Sequence, residues 1–332
     1  MSNFIIPNNP GAIPDIPDIR DYSYEQIFGA VSLPEEYDII KEVGGLSIKN
    51  QGTSQSCVGQ SWSYYTEILE RIENKNETNL SAKDIYSQIF IEPNGGASIR
   101  DGATLLQKSG VTLEILLSSY NNGNPPDENW MRDRSMVTLE TINKALVYRA
   151  KSYATIWHKE DIEIIKQAIF QNHGVITGVY GDNPGWQNKI VLPPINYVWG
   201  HAILLVGWRK VDGVEMLKFI NSWGTNWGEG GFGFLHPSYL SQAGNMFNLW
   251  TLVDMPNYLK PQFMFKLIKK SQDAKEVFAV TEGKRYWILD AITFEAGRKN
   301  LWPGWEDITI EDPLQYEYGG AIFLSQTDDP LK

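Results

Sequence analysis

The sequence predicts an α+β chain in which a helical half and a strand-rich half meet at a cleft, followed by a smaller α+β module. From Cys57 to Ile72, apolar side chains recur at the spacing of one helix face. Beyond Gly174, the apolar residues instead form short runs bounded by glycine-containing turns, as strands do. Helices first and strands later favour two unlike layers around one cleft.

Four helices are expected in the first half. The first starts at Cys57, and the second follows Ser81, which lies three residues before an aspartate in a capping arrangement. The third is capped by Ser98 or Asp101, and the fourth covers 139–150. Strands are expected at 174–180, 202–208, 217–221 and 232–235.

The chain is predicted to have three segments. Residues 1–32 are rich in proline and are expected to form an extended arm on the surface. Residues 33–257 form the main domain, and residues 258–332 form the accessory module. In the module, a helix is expected after Asp290. Its strand-like runs are 263–268, 276–281 and 285–289.

The composition excludes several classes of function. The 332 residues contain 29 Lys+Arg against 40 Asp+Glu, a net charge of −11, so a broad basic surface for nucleic acid is missing. The single cysteine, Cys57, rules out an intrachain disulfide and a cysteine-rich metal site. The four histidines are scattered and have no zinc-binding spacing. We therefore expect no metal, no cofactor and no nucleic-acid partner.

The sequence also bears on location. The first residues lack the basic stretch and apolar run of a secretory signal peptide. The longest apolar runs, such as 202–208, are far shorter than the roughly 18–20 residues that cross a bilayer. A soluble protein made in the cytoplasm is expected, with release by lysis or association with a particle left as alternatives.

Cys57 is a candidate nucleophile. A thiol in the first turn of a helix faces the positive end of the helix dipole, which lowers its pKa from about 8.5 toward roughly 3.5–7.5. A lone cysteine is more often an inert buried side chain. Here, however, a polar, turn-prone segment at 51–56 precedes the helix and places the thiol at a junction rather than in mid-core.

A thiolate nucleophile needs a histidine partner, and His201 is the best candidate. It opens an apolar strand, although a hydrogen-bonded core histidine would look the same. Asn221 follows the next predicted strand and can orient an imidazole, with Trp223 to cover the contact. The remaining histidines have ordinary structural interpretations at helix or turn ends: His158, His173 and His236.

Three motifs together resemble the papain family of cysteine peptidases. They are Lys-Asn-Gln-Gly at 49–52 followed by Cys57, Gly-His-Ala at 200–202, and the block from Asn-Ser-Trp-Gly at 221–224 to Phe232. The resemblance covers about 33–253 and implies a two-subdomain fold with a helical half and a β-barrel-like half.

The resemblance also implies roles for individual residues. Gln51 would donate to the oxyanion, Cys57 would be the nucleophile and His201 the acid and base. Asn221 would orient the imidazole, and Trp223 would shield that contact.

The resemblance also assigns less specific roles to several other positions. Gly95 and Gly96 resemble the segment whose backbone pairs with bound peptide, and Ala202 completes the histidine motif. Gln55 stands where the family has a glycine, which predicts a narrower pocket. The absence of disulfides resembles bacterial and phage-like members. The segment 1–32 is shorter than the family's usual inhibitory pro-domain.

These observations favour a cysteine endopeptidase that acts on a polypeptide through a covalent acyl-enzyme. Two alternatives stay open. One is a virion-type or surface-binding structural protein built on a peptidase scaffold, and the other is a cell-wall peptide amidase or transpeptidase. A scaffold has no need for Gln51, Cys57, His201, Asn221 and Trp223 together, which favours catalysis. The module is expected to bind a surface or particle.

Overall fold

The fold is described from a computed structural model. The described residues are 7–16, 18, 21–74, 77–241, 244–253, 266–281, 284–288 and 308–322. The chain divides into two compact units, Met1–Asp254 and Met255–Lys332. The helix predicted after Asp290 lies outside the described residues. Within those residues, no helix combines the length and apolar character needed to cross a bilayer.

The described part of the chain is α+β, as predicted. The helices are α1 (Tyr24–Ile27), α2 (Ile39–Glu42), α3 (Cys57–Asn74), α4 (Ala82–Ile89), α5 (Ile99–Lys108), α6 (Glu128–Arg132), α7 (Leu139–Ala145), α8 (Ile162–Asn172) and α9 (Ser238–Ser241). The strands of the first unit are β1 (Ala12–Ile13), β2 (Tyr37–Asp38), β3 (Ala97–Ser98), β4 (Ser152–Ile156), β5 (Val175–Gly181), β6 (Ile190–Val191), β7 (Trp199–Val211), β8 (Val214–Ile220), β9 (Phe232–Leu235) and β10 (Met246–Val253).

The helix starts follow the capping residues of the sequence. Ser81 Oγ accepts a hydrogen bond from the Asp84 amide at 3.0 Å, and Ser98 Oγ accepts one from the Asp101 amide at 3.1 Å. Ser98, rather than Asp101, is therefore the cap of α5. The fourth predicted helix is shorter than expected, because α7 gives way to a 3₁₀ turn at Leu146–Tyr148.

Helix α3 is buried on every side in its first three turns. The sequence predicted one apolar face, yet polar residues such as Ser61 and Gln60 are also buried. Their hydrogen bonds compensate for the burial: Ser61 Oγ donates to the Ala202 carbonyl of β7 at 3.1 Å. Gly59 lets α4 approach closely, since a Cβ there would lie 2.7 Å from the Ala82 carbonyl.

Eight of the ten strands described in the first unit form one sheet, and β1 and β3 pair separately with each other. The order of the eight-stranded sheet is β4-β10-β5-β7-β8-β9-β6, and β2 also pairs with β7. The pairs β5–β7 and β7–β8 are antiparallel, so β7 lies inside the sheet between two partners. With 13 residues, β7 carries the backbone past α3 and positions the histidine motif beside the start of that helix.

Residues 7–16 of the N-terminal arm are extended but partly buried rather than on the surface as predicted, and the arm also contains the short helix α1 (Tyr24–Ile27). Strand β1 pairs in parallel with β3, and Pro10, Gly11 and Ala12 are buried against the main domain. The backbone polar groups of this buried part are hydrogen-bonded: the Ala97 amide, next to Gly96, donates to the Gly11 carbonyl at 2.8 Å.

The second unit contains a five-stranded sheet of order β14-β11-β12-β13-β15. Its strands are β11 (Lys266–Lys269), β12 (Val277–Thr281), β13 (Lys284–Ile288), β14 (Ile308–Ile310) and β15 (Glu317–Ile322). Strands β12 and β13 fall on two of the expected strand-like runs, 276–281 and 285–289, and pair with each other antiparallel.

Candidate active site

Cys57 lies at the first residue of α3 with its side chain fully buried. The Ala202 amide donates to its Sγ at 3.3 Å, so the residue after His201 contacts the thiol directly. Burial raises the pKa of Cys57 to about 12, against the lowering effect of the Ala202 and Val58 amides. The expected depression by the helix terminus is thus outweighed, and in this arrangement the thiol is neutral.

The ring of His201 has a defined tautomer. Its Nε2 lies 2.8 Å from Asn221 Oδ1, and that oxygen also accepts the Ser222 amide at 2.8 Å. A backbone N–H can donate only to an acceptor, so the side-chain atom of Asn221 that faces the Ser222 amide is its oxygen, Oδ1. The same oxygen faces His201 Nε2, and Nε2 must therefore carry the proton. His201 Nδ1 has no hydrogen-bond partner in the described part of the chain and is free to accept a proton.

Burial also sets the charge of the imidazole. It lowers the pKa of His201 to about 4, with the Asn221 hydrogen bond acting in the opposite direction. Since the thiol pKa is raised and the imidazole pKa is lowered, Cys57 and His201 are both neutral at pH 7 while both side chains are buried.

Strand pairing brings the third motif to the histidine. In the β7–β8 ladder, Leu204 lies opposite Ile220, which directs the chain after β8 back toward His201. Asn221 is therefore next to the imidazole, and Trp223 stacks on it with ring centroids 4.8 Å apart.

An aromatic cluster closes the far side of the imidazole. Trp186 meets the His201 ring edge-on at 5.6 Å, and Trp199 does so at 6.2 Å. Trp186 is held by its own indole N–H, which donates to Tyr239 Oη at 2.8 Å. Trp186 was not predicted as a site residue, because it lies in a short 3₁₀ turn after a proline and a glycine and has no motif around it.

Gln51 is locked in one orientation beside Cys57. Its Oε1 accepts the Ser222 hydroxyl at 2.6 Å, and its Nε2 donates to the Ser54 carbonyl at 2.8 Å and the Pro10 carbonyl at 3.2 Å. The Cys57 backbone amide donates to the same Pro10 oxygen at 3.4 Å. Two donors from different segments thus converge on one carbonyl oxygen next to the thiol.

The opposite wall of the cleft contains the glycine segment. Gly95 and Gly96 both have positive φ, 80° and 75°, which favours glycine. Gln55 contacts this segment, since its Nε2 donates to the Asn94 carbonyl at 3.0 Å. The Gln55 backbone amide donates to Glu128 Oε2 at 2.7 Å, which holds the Gln55 backbone in place beside the glycine segment. The structure therefore brings all nine predicted site residues to one cleft.

A model of the papain family cysteine proteases matches residues 33–244. The chain belongs to the papain family of cysteine proteases. The matched segment contains every residue of the cleft described above except the arm, and the observed helical and strand-rich halves are the two subdomains of the papain-like fold.

Individual family members are similar over most of that segment. A cysteine protease of Blomia tropicalis is 24% identical over 221 residues, which are 65% of each chain. The viral cathepsin of Autographa californica nuclear polyhedrosis virus is 28% identical over 206 residues, 60% of this chain and 58% of that one. The chain thus spans roughly two thirds or less of the length of these two relatives.

A solved structure shares the fold more completely. It is xylellain, a cysteine protease from Xylella fastidiosa, with 25% identity and a TM-score of 0.62. The similarity covers 77% of this chain and 99% of the xylellain chain.

Proposed function

We propose that this protein is a cysteine endopeptidase that hydrolyses polypeptides through a Cys57 acyl-enzyme. One observation carries the proposal: two donors, Gln51 Nε2 and the Cys57 amide, meet at a single carbonyl oxygen beside the thiol. Such a pair of donors would stabilise the oxyanion formed when a nucleophile attacks a carbonyl carbon.

The acylation step follows from the tautomer of His201. Its Nδ1 accepts the proton of the Cys57 thiol, and the thiolate forms a bond to the peptide carbonyl carbon. The negative oxygen is held by Gln51 Nε2 and the Cys57 amide. The tetrahedral species collapses as His201 donates its proton to the leaving amine, which leaves a thioester on Cys57.

Deacylation uses the same groups in the opposite sense. His201 Nδ1 removes a proton from a water molecule, and the resulting hydroxide attacks the thioester carbonyl. The C–S bond breaks, the thiolate recovers its proton, and the carboxyl product leaves. Asn221 acts by holding Nε2–H in place, and Trp223 excludes water from that hydrogen bond.

Cleavage within a chain, rather than at its end, is supported by the path of the arm. Residues 7–16 pass the thiol with chain on both sides of the Pro10 carbonyl. The cleft therefore admits a polypeptide that continues in both directions. No observation specifically favours the scaffold or the cell-wall amidase alternatives.

The test compares two histidine variants. His201→Ala is expected to abolish turnover of a fluorogenic peptide, because no other described group can exchange the thiol proton. His158→Ala is the matched control, since that ring is exposed and lies 3.4 Å from Glu160. Cys57→Ser should also be inactive. Peptide turnover that survives His201→Ala in folded protein would disprove the proposal.

A further inference from the structure

An uncharged segment leads into strand β7 and its histidine motif. Residues 190–200 contain no charged side chain, although 21% of the residues of the whole chain are charged. Three apolar side chains of this segment lie largely in solvent: Ile195 is 92% exposed, Val198 62% and Tyr197 56%. A single exposed apolar residue is ordinary, but a group of them without charges is typical of the centre of a binding surface.

The backbone that carries these side chains is held in place. The Ile195 amide donates to Asp182 Oδ2 at 3.0 Å, and the Val198 amide donates to the last carbonyl of β5 at 3.1 Å. Tyr197 Oη donates to Asn245 Oδ1 at 3.1 Å. The apolar side chains are therefore presented to solvent in a defined arrangement, which lowers the ordering entropy that a ligand would have to overcome.

Tyr197 is the outer end of a row of three aromatic rings. Tyr180 of β5 stacks on Tyr197 with ring centroids 4.6 Å apart, and the ring of Phe247 in β10 lies 4.8 Å from that of Tyr180. Phe247 is buried, and a Cβ on Gly200 would lie 3.4 Å from its ring. The row thus connects the exposed segment to the residue immediately before His201.

Strand pairing places this row on the same sheet face as the cleft. In the β5–β7 ladder, Tyr180 lies opposite Gly200, and Gly178 lies opposite Ala202. Because side chains alternate along a strand, these two pairs share one face. The Ala202 amide donates to Cys57 Sγ, so the thiol lies at one end of this face and the exposed segment at the other.

We propose that Tyr180, Ile195, Tyr197 and Val198 (the apolar patch) form an exosite that binds an apolar stretch of the polypeptide substrate outside the cleft. The inference rests on the proposed peptidase function. Val198 lies four residues before Ala202, roughly 13 Å along an extended strand. An extended substrate therefore reaches the apolar patch about four residues from the scissile bond.

Two features identify the occupant. The apolar patch is continuous with the cleft, so a bound chain that leaves the cleft on this side meets it directly. The segment around the patch has no charge to pair with an acidic or basic side chain, whereas aliphatic and aromatic side chains would be stabilised by burial against it. We expect such side chains in the preferred substrate at this distance from the cleaved bond.

The test uses the full chain and two quenched fluorogenic peptides with the same central residues. Three to six positions from the scissile bond, at both ends, one peptide carries leucine, valine and phenylalanine, and the other carries serine, threonine and asparagine. The enzyme variant is Ile195→Ser with Val198→Ser, which shortens two exposed side chains. The matched control is Leu139→Ser, since Leu139 is 79% exposed on α7.

Selectivity is the ratio of kcat/KM for the apolar peptide to kcat/KM for the polar one. It should be about 10-fold or more in the wild type and in Leu139→Ser, and fall to about 1 in the double variant. The loss should appear as a higher KM for the apolar peptide at similar kcat, because the contact is made equally in the bound substrate and in the transition state. Mass spectrometry checks that both peptides are cleaved at the same bond.

A binding measurement separates this proposal from the peptidase function. In Cys57→Ser, where no thioester can form, the labelled apolar peptide should bind about 10-fold more weakly once the double substitution is added, as measured by fluorescence anisotropy. That difference, found together with a wild-type chain that cleaves neither peptide, would support the exosite and overturn the peptidase function.

Two results would overturn the exosite. One is equal selectivity in the wild type and the folded double variant while both peptides are cleaved, which leaves the peptidase function in place. The other is a wild-type dimer that dissociates in the double variant, measured by sedimentation velocity, because the apolar patch would then be covered by a second copy of this chain.

Discussion

At the scale of single residues, the buried, neutral His201 ring makes the stability of the folded protein depend on pH. The pKa of His201 is lowered to about 4, below its ordinary value, so the folded state binds a proton less readily than the unfolded chain. The contribution of His201 to the free energy of unfolding is fully present above pH ~6.5 and is lost as the pH falls through about 4. Its ring contacts, Asn221 and three tryptophans, supply no negative charge.

We expect the free energy of unfolding to fall between pH 6.5 and pH 4, and to fall less steeply in His201→Gln. Urea unfolding at several pH values measures both slopes. The matched control is His158→Gln, the same substitution at an exposed histidine. Equal slopes in His201→Gln and wild type would show that His201 does not titrate in this range.

Gln51 and Ser222 allow a second test at this scale. Gln51→Ala should lower kcat on a short peptide by roughly 10²-fold, because one oxyanion donor is lost. Ser222→Ala should lower kcat by a smaller factor, since Nε2 remains but the hydroxyl that fixes Oε1 is gone. Epoxide labelling of Cys57 should persist in both. A parallel loss of labelling and kcat would instead indicate damage to the fold.

The sequence motifs predicted those members of the cleft that lie within short family motifs, such as Cys57 and His201. Trp186 and Pro10 were missed for a physical reason. Each reaches the site through a contact between segments distant in sequence, and neither has neighbours that reveal the contact. Ser222 lay inside a recognised motif, but its hydroxyl bond to Gln51 is visible only in three dimensions.

At the scale of elements, α3 shows how packing overrides a periodic pattern. Apolar spacing after Cys57 indicated one buried face, whereas the helix is enclosed by α4, α5 and β7. The polar positions are tolerated because hydroxyl side chains such as Ser61 bond to neighbouring backbone. The periodicity of a sequence shows which helix face is apolar. It does not show which polar side chains will find hydrogen-bond partners in neighbouring elements and can therefore be buried as well.

Gly59 provides a test of this packing. In an exposed helix, Gly→Ala stabilises by up to about 1 kcal/mol. Here the added methyl group meets the Ala82 carbonyl at 2.7 Å and the Tyr86 Cβ at 3.1 Å, so the sign should reverse. We expect Gly59→Ala to destabilise the protein by roughly 1–3 kcal/mol, measured by thermal or urea unfolding. Gly29→Ala should change stability little, and a stabilised Gly59→Ala would contradict the tight α3–α4 contact.

At the scale of the whole molecule, every residue of the candidate site belongs to the first unit, Met1–Asp254. The segment 258–332 is therefore expected to fold as a separate module that serves target binding rather than catalysis. A chain ending at Asn257 should keep its kcat on a short peptide and lose affinity for a large natural target. Steady-state kinetics with both chains measures this, and a reduced kcat in folded truncated protein would count against the separation.

The shared oxygen of Pro10 has a consequence for selectivity. A ligand that takes this position must first displace the Pro10 carbonyl, so its apparent affinity is its intrinsic affinity multiplied by the fraction of molecules in which the position is free. That fraction is the same for every ligand, whatever its length. Short peptides make few contacts outside the path of residues 10–15 and are discriminated against in practice, whereas long chains recover the loss through contacts that the arm does not use.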